Sequence, residues 1–493
     1  MPRSTGRVAV LLVIITGIVL RFATASPLWL DEALSVHIAT GDVSLADALR
    51  QDGHPALFYL LLGGWIDVFG DGDTAVRALS GVLSLITVPV IWMASRRHGP
   101  ETAIATLLLA LSSPYLIRYA TETRMYALVV LVVALGWWTL EAAWEQPTAR
   151  RLLGVAAVTA AAMHTHYWTF YAIAAAGLIV VVAGRRPYGR IKAVRLLGAM
   201  AAGVATFVAW LEVFVDQLAE TGTPWATRAR PTEIFIETLQ GIGGNNRFEG
   251  ESLGVLLGFV AVLGLLAIGP ARDKVLQVRS SIHPSVQVPA AAAGLGLGLG
   301  AAAAVATGGA FEARYAAIAI PFILLLAGRG VAMLDTRARV VVLTVLVLLG
   351  SAISIDEARR TRSQGEEVAG AIDALVGPED VIIFCPDQLG PATTHYLDTE
   401  AERRAFPSGD GFTVDWRNYL DRVASTDATA FAVDAHETAG AGAVWFVSSP
   451  GYRGFDFPCG TINAALRERR NPQNVVGLQE LFEGMFAIRY GAG

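Results

Sequence analysis

The chain has 493 residues, 54% of them hydrophobic and 16% charged, with a mean hydropathy of +0.49. Soluble domains carry roughly 25% charged residues, so the composition describes an integral membrane protein and excludes a soluble one with a large core. The formal net charge of −5 gives no electrostatic case for nucleic acid as a partner. The positive charge is almost all arginine, the lysines being Lys192 and Lys274.

At the N-terminus, Arg3 and Arg7 precede the apolar run Val8 to Val19. This is a first span or a signal peptide, with Ala23-Thr24-Ala25 as a small-residue cleavage pattern. In both cases the basic end stays in the cytoplasm and Asp31 emerges outside. Further apolar segments lie near 74–95, 101–117, 125–144, 151–165, 167–184, 193–215, 252–269, 286–307, 315–334 and 338–355. Several approach the roughly 20 residues that a helix needs to cross the hydrocarbon. Ala56 to Phe69 is shorter and contains Asp67, as in a helix lying at the interface. Charge tests that choice. If Ala56 to Phe69 does not cross, the basic loops at Arg96-Arg97, Arg150-Arg151, Arg185 to Arg195, Arg272 to Arg279 and Arg337 to Arg339 all fall inside, as the positive-inside rule requires.

The expectation is therefore a polytopic α-helical membrane protein of about eleven spans, occupying residues 1–356. It has a first outer loop at 24–73 and a long outer loop at 217–250. The long loop contains Pro224-Trp225 and Gly243-Gly244-Asn245-Asn246, and is either a lid or substrate loop or a structural connection. After Ile355 the chain becomes charged and punctuated by Pro and Gly. Residues 357–493 read as an extracytoplasmic α/β domain, with a helix from Glu366 to Leu375 and strands at Val381 to Phe384, Ala443 to Val447 and Met485 to Tyr490. Cys385 and Cys459 lie in this part, free to pair or to stay reduced. It holds no GxGxxG or GxxxxGK[ST] pattern, so nothing indicates nucleotide binding.

With this topology the unusual polar residues gather at the outer face. They are Asp31 and Glu32 after the first span, His54-Pro55 before the interfacial helix, Arg118 to Tyr126 (including Glu122 and Arg124), His164 to Tyr167, and Glu312 to Tyr315. Ionisable groups near lipid are costly and face protein or a water-filled cavity. Singly, Arg124 and Arg314 read as snorkelling anchors, and His166 as a satisfied interfacial histidine. His164 and His166 are two apart and there is no HExxH, so no metal is expected. Together, acids, arginines and histidines on one face suit an anionic headgroup beside a general base.

These residues carry a resemblance. LWLDEALSV (Leu28 to Val36), HPALFYLLL (His54 to Leu62), YATETRMYAL (Tyr119 to Leu128), His166-Tyr167, and Arg314-Tyr315 before a span with Pro321 resemble the C-type membrane glycosyltransferases. The likeness is to the relatives of protein O-mannosyltransferases and lipid A aminoarabinose transferases, and covers roughly residues 20–330. Ala56 stands where a second proline is common in that family, and Thr121 where glutamine is usual, which blurs substrate identity.

The resemblance implies the GT-C fold and a polyprenyl-phosphate sugar donor used outside the cytoplasmic membrane. It also implies inverting transfer to a hydroxyl of a glycan, lipid or protein, without a nucleotide sugar; some relatives need a divalent metal and others do not, and no metal or other cofactor is expected here. By it, Asp31 is the base, while Arg314, Arg124 and His166 hold the donor phosphate. Glu32, His54, Glu122, Tyr126 and Tyr315 shape the pocket, and mannose and arabinose are the leading sugars. A transporter or flippase of lipid-linked sugars would use a similar basic cavity without a base, and a non-catalytic envelope-assembly protein is a third reading. Asp31-Glu32 directly after the first span favours the enzyme.

Overall fold

The computed structural model describes residues 3–222, 230–244, 247–271, 275–452 and 454–491. All eleven apolar segments predicted from the sequence fall on helix. Among the described residues, six helices are long and apolar enough to cross a membrane, or seven if Pro100–Leu111 and Pro114–Ala120, bent by 46°, count as one span. Others, such as Thr169–Gly184 and Ile320–Met333, are apolar but shorter. Length and hydropathy thus carry six or seven crossings of the expected eleven.

Small residues draw the helices together, as expected where lipid removes the hydrophobic drive between them. A Cβ at Gly330 would run into the Val260 carbonyl, and one at Gly264 into the Leu326 carbonyl. The helices Phe248–Leu266 and Ile320–Met333 therefore pack at backbone distance. Arg21, fully buried, ties the N-terminal helix Arg3–Leu20 to the bundle by donating to the carbonyls of Gly17 (2.6 Å), Ala110 (2.8 Å) and Leu111 (3.1 Å) and to the Ser84 hydroxyl (3.0 Å).

The stretch 24–73 is a set of three short helices, Leu30–Thr40, Leu45–Asp52 and Leu57–Phe69. Ser44 caps the second, and Gly53 ends it at φ 83°, a left-handed turn that swings the chain towards His54. Leu57–Phe69 has 13 residues, as its apolar run predicts, and leaves Leu60, Leu61, Val68 and Phe69 exposed. The stretch 217–250 includes the helix Pro231–Gly243. The predicted features at Pro224-Trp225 and Asn245-Asn246, and Arg272 and Lys274, lie outside the described residues.

Beyond the helix Thr336–Ala358 comes the helix Gly365–Asp373 and a five-stranded sheet: β1 (Val381–Cys385), β2 (Glu402–Ala405), β3 (Val444–Ser448), β4 (Asn471–Val476) and β5 (Phe486–Gly491), in the order β2-β1-β3-β5-β4. β1 runs parallel to β2 and β3, and β5 antiparallel to β3 and β4. The fully buried β1 and β3 read as continuous apolar runs because both faces are covered. Ala428–Ala439 and Asp456–Arg467 pack on one face, Gly365–Asp373 on the other. Cys385 is disulfide-bonded to Cys459, joining the end of β1 to the helix Asp456–Arg467.

Candidate active site

A cavity of about 820 Å³ opens between this sheet domain and the helical bundle. The short helices after the first span put Asp31 in its wall. The 3₁₀ turn Ala313–Ile318 puts Arg314 opposite, and the turn before Tyr126–Glu145 supplies Arg124. Asp31 Oδ2 is 3.0 Å from Arg314 Nη1 and 3.7 Å from Arg124 Nε, with its side chain 16% exposed.

Each cation is held from behind. Arg124 Nη1 donates to Ser35 Oγ (3.1 Å) and to the Tyr59 hydroxyl (3.2 Å). Tyr59 donates to Asp52 (2.6 Å), which also accepts from His54 Nδ1 (2.7 Å). Burial alone would raise the Asp52 carboxyl, but His54, Arg124 and the Tyr59 hydroxyl outweigh it and hold it below the usual carboxylate range. The Arg314 guanidinium lies 5.9 Å from the ring centres of both Tyr126 and Tyr315, a cation–π arrangement. Tyr315 in turn stacks on Trp168 at 4.9 Å.

His166 sits among His54, Tyr126 and Tyr315 at ring distances of 5.6, 5.7 and 5.6 Å. Its Nδ1 accepts the Trp168 N–H at 3.1 Å. Burial, then the charges of His54, Arg124 and Arg314, keep the ring well below its usual pKa, so the neutral ring carries its proton on Nε2. Among the described residues, His166 Nε2, Arg124 Nε and Arg314 Nε are buried donors without a hydrogen-bond partner. Buried polar groups are nearly always paired. These three orphan donors belong to residues lining one cavity beside Asp31.

Glu122 lines the cavity and pairs with Arg118 at 3.2 Å, not with Arg124. Glu32 does not face the cavity. It is fully buried and clamps Arg77, Oε1 to Nε at 2.7 Å and Oε2 to Nη2 at 2.6 Å, while accepting the Thr123 N–H at 3.0 Å. Among the described residues no group of three or more His, Cys, Asp or Glu side chains is placed to hold a metal ion.

Sequence reasoning expected the C-terminal domain to help bind the acceptor, but it missed Asp52, Tyr59 and Arg77 and the particular residues by which the sheet domain shares the cavity. Glu483 there accepts the Leu30 N–H (3.0 Å) and the Ser363 hydroxyl (2.5 Å), fixing the backbone next to Asp31. Tyr396 accepts the Leu28 N–H (2.6 Å) and donates to Asp73 (2.6 Å). Burial pushes Glu483 from its ordinary 4.5 up to about 8. Between those values the folded state holds a proton that the unfolded state has lost, so this contribution is complete below about pH 4.5 and disappears as pH rises through about 8. Thermal stability is expected to fall from pH 5 to pH 8, and Glu483→Gln, neutral throughout, to flatten that slope. An unchanged slope in the variant would remove Glu483 as its source.

The fold is that of the C-type membrane glycosyltransferases, the superfamily that the sequence resembles. Residues 53–211 match the family Dolichyl-phosphate-mannose-protein mannosyltransferase. ArnT from Cupriavidus metallidurans in the apo state superimposes with a TM-score of 0.63 at 14% identity, covering 98% of each chain. The same protein bound to undecaprenyl phosphate gives 0.60 at 13% identity, over 99% of this chain and 98% of that one. The arabinofuranosyltransferase AftD from Mycobacteria gives 0.51 at 13% identity, over 99% of this chain and 40% of that one. No curated protein matches the sequence.

Proposed function

We propose that the chain is an inverting glycosyltransferase that moves a sugar, mannose or arabinose, from a polyprenyl-phosphate donor to an acceptor hydroxyl at the outer face of the cytoplasmic membrane. The observation that carries this is the set of unpartnered donors on Arg124, Arg314 and His166 around Asp31. The matched family uses a lipid-phosphate sugar by its name, and ArnT of the same fold binds undecaprenyl phosphate.

In this reading the donor phosphate takes the guanidinium groups that Asp31 now occupies. Displaced from them, the Asp31 carboxylate is free to accept a proton. The acceptor oxygen bonds to sugar C1 from the face opposite the phosphate as its proton passes to Asp31. The C1–O bond to phosphate breaks, and its electron pair leaves on the polyprenyl phosphate, where Arg314, Arg124 and the His166 Nε2–H stabilise the growing charge. A flippase would need the phosphate site but not the carboxylate.

The test is transfer from polyprenyl-phosphate mannose and polyprenyl-phosphate arabinose by purified protein, with donor affinity measured in parallel. Arg314→Ala is expected to weaken donor binding about tenfold or more, the loss of at least one hydrogen bond to a charged group, and to slow transfer as well. Normal binding and use of donor by that variant would put the phosphate elsewhere.

The cavity and sheet domain are assigned to the outside. Basic loops at the opposite end support this, as does the disulfide, which persists in oxidising compartments. An impermeant thiol reagent should label Arg230→Cys and spare Arg186→Cys in intact cells. The reverse pattern would turn the molecule over.

A further inference from the structure

The two walls of the cavity differ in chemistry. The bundle side holds its arginines, Arg118, Arg124 and Arg314. Among the described residues the sheet-domain side contributes Gln388, Trp416, Tyr452 and Phe482, no cation, and Glu483 as its one carboxyl group. Trp29, from the loop bearing Asp31, meets Phe482 edge-on at 5.0 Å, and its Nε1 is buried without a hydrogen-bond partner.

These residues have a common origin in the sheet. Gln388 follows the carboxyl end of β1, and Tyr452 follows the carboxyl end of the adjacent parallel strand β3. The crevice outside the carboxyl ends of parallel strands is where open α/β sheets bind ligands. The crevice is braced. Cys385, the last residue of β1, is bonded to Cys459, and Gln388 donates to the Tyr419 hydroxyl (3.1 Å), itself bonded to Asp387. The Trp416 N–H donates to the Gln51 carbonyl at 3.0 Å, which seats this wall on the helix Leu45–Asp52. Burial, and then the charges of Glu483 and Asp31, raise the Tyr452 hydroxyl above its ordinary pKa, so that it stays protonated.

We propose that this wall is the acceptor subsite and that the acceptor is a neutral glycan. Aromatic faces suit the C–H faces of a pyranose or furanose ring. An amide, a phenol and the neighbouring Trp29 indole N–H suit its hydroxyls, and the few polar groups fix its orientation. A phosphorylated glycolipid would ask for cations, and among the described residues this wall presents none. A peptide would need either an open strand edge or an apolar groove, whereas the cavity meets the sheet at its strand ends. The inference rests on the reading that Asp31 receives the acceptor proton, since the subsite delivers a hydroxyl to that carboxylate.

The experiment uses the full chain in detergent with polyprenyl-phosphate mannose and polyprenyl-phosphate arabinose as donors. Three acceptors are compared: neutral oligosaccharides of the same sugars, a phosphorylated glycolipid and a Ser/Thr-rich peptide. Saturable transfer to a neutral oligosaccharide is expected. Tyr452→Ala and the surface-exposed Phe482→Ala should each raise the acceptor KM about tenfold, the loss of one stacking contact, with kcat and donor affinity changed less than about twofold. Tyr452→Phe should restore most of the KM. Transfer confined to the glycolipid or the peptide, no transfer to any oligosaccharide, or an unchanged acceptor KM in both alanine variants would overturn the proposal while donor binding remained intact. Failure of the underlying transferase reading would show differently, as absence of polyprenyl-phosphate binding in the unsubstituted protein.

Discussion

Asp31→Asn is expected to lower turnover about 100-fold or more and, in the same protein, to bind polyprenyl phosphate more tightly. The first effect is the usual loss when a positioned general base is removed. The second follows from the ion pairs of the Asp31 carboxylate, which is itself the anion on Arg314 and, less closely, on Arg124. A donor phosphate must displace it and then lie beside its negative charge. Asparagine keeps the shape, gives up the two arginines without competition and removes the repulsion. Donor affinity and single-turnover transfer, measured on one preparation, separate the two effects. A fully active Asp31→Asn protein would end the assignment of the base. Weaker donor binding would show that Asp31 organises the phosphate site rather than competing for it.

Glu32→Gln is expected to act on stability before chemistry. Glu32 and Arg77 are both buried, joined by two short hydrogen bonds, and Arg77 also donates to the carbonyls of Ser26 (2.6 Å) and Pro27 (3.0 Å). The clamp fastens the segment leading to Asp31 onto the helix Asp73–Ser95. Removing one partner of such a pair leaves an uncompensated buried charge and costs about 3–5 kcal/mol. Arg77→Met should be about as damaging, and Glu32→Leu combined with Arg77→Met should recover much of the loss. Retention of folded, monodisperse protein after heating, compared across the single and double variants, gives the measurement. A Glu32→Gln protein as heat-resistant as its parent but slow in transfer would return Glu32 to the pocket-shaping role that the resemblance implies.

The helices were legible because membrane segments announce themselves by apolar runs, and the polar residues between them stood out for the same reason. Arg77 was hidden by that success, since a lone arginine inside the run 74–95 reads as part of a span. Asp52 had a faint signal, two residues before His54 with a glycine between them, but contact with Tyr59 and Arg124 depends on how three short helices fold back. In the sheet domain the apolar cores of β1, β3 and β5 were readable. β2 (ERRA) and β4 (NPQNVV) were not, because edge strands carry charge and proline. Glu483 sat in a polar stretch with nothing to distinguish it. Its role depends on a contact with Leu30, 453 residues away.

That separation has a consequence for how the molecule is made. Asp31 leaves the ribosome early. Its first guanidinium neighbour lies 93 residues further on and its second 283, and the carboxyl that pins the Asp31 backbone comes 453 residues after Leu30. During translation and insertion the carboxylate therefore waits in water, first alone, then with half a binding site, then with a whole one lacking its roof. The order of synthesis supplies this roof only after both arginines, so the arrival of the sheet domain is itself the step that closes the cavity.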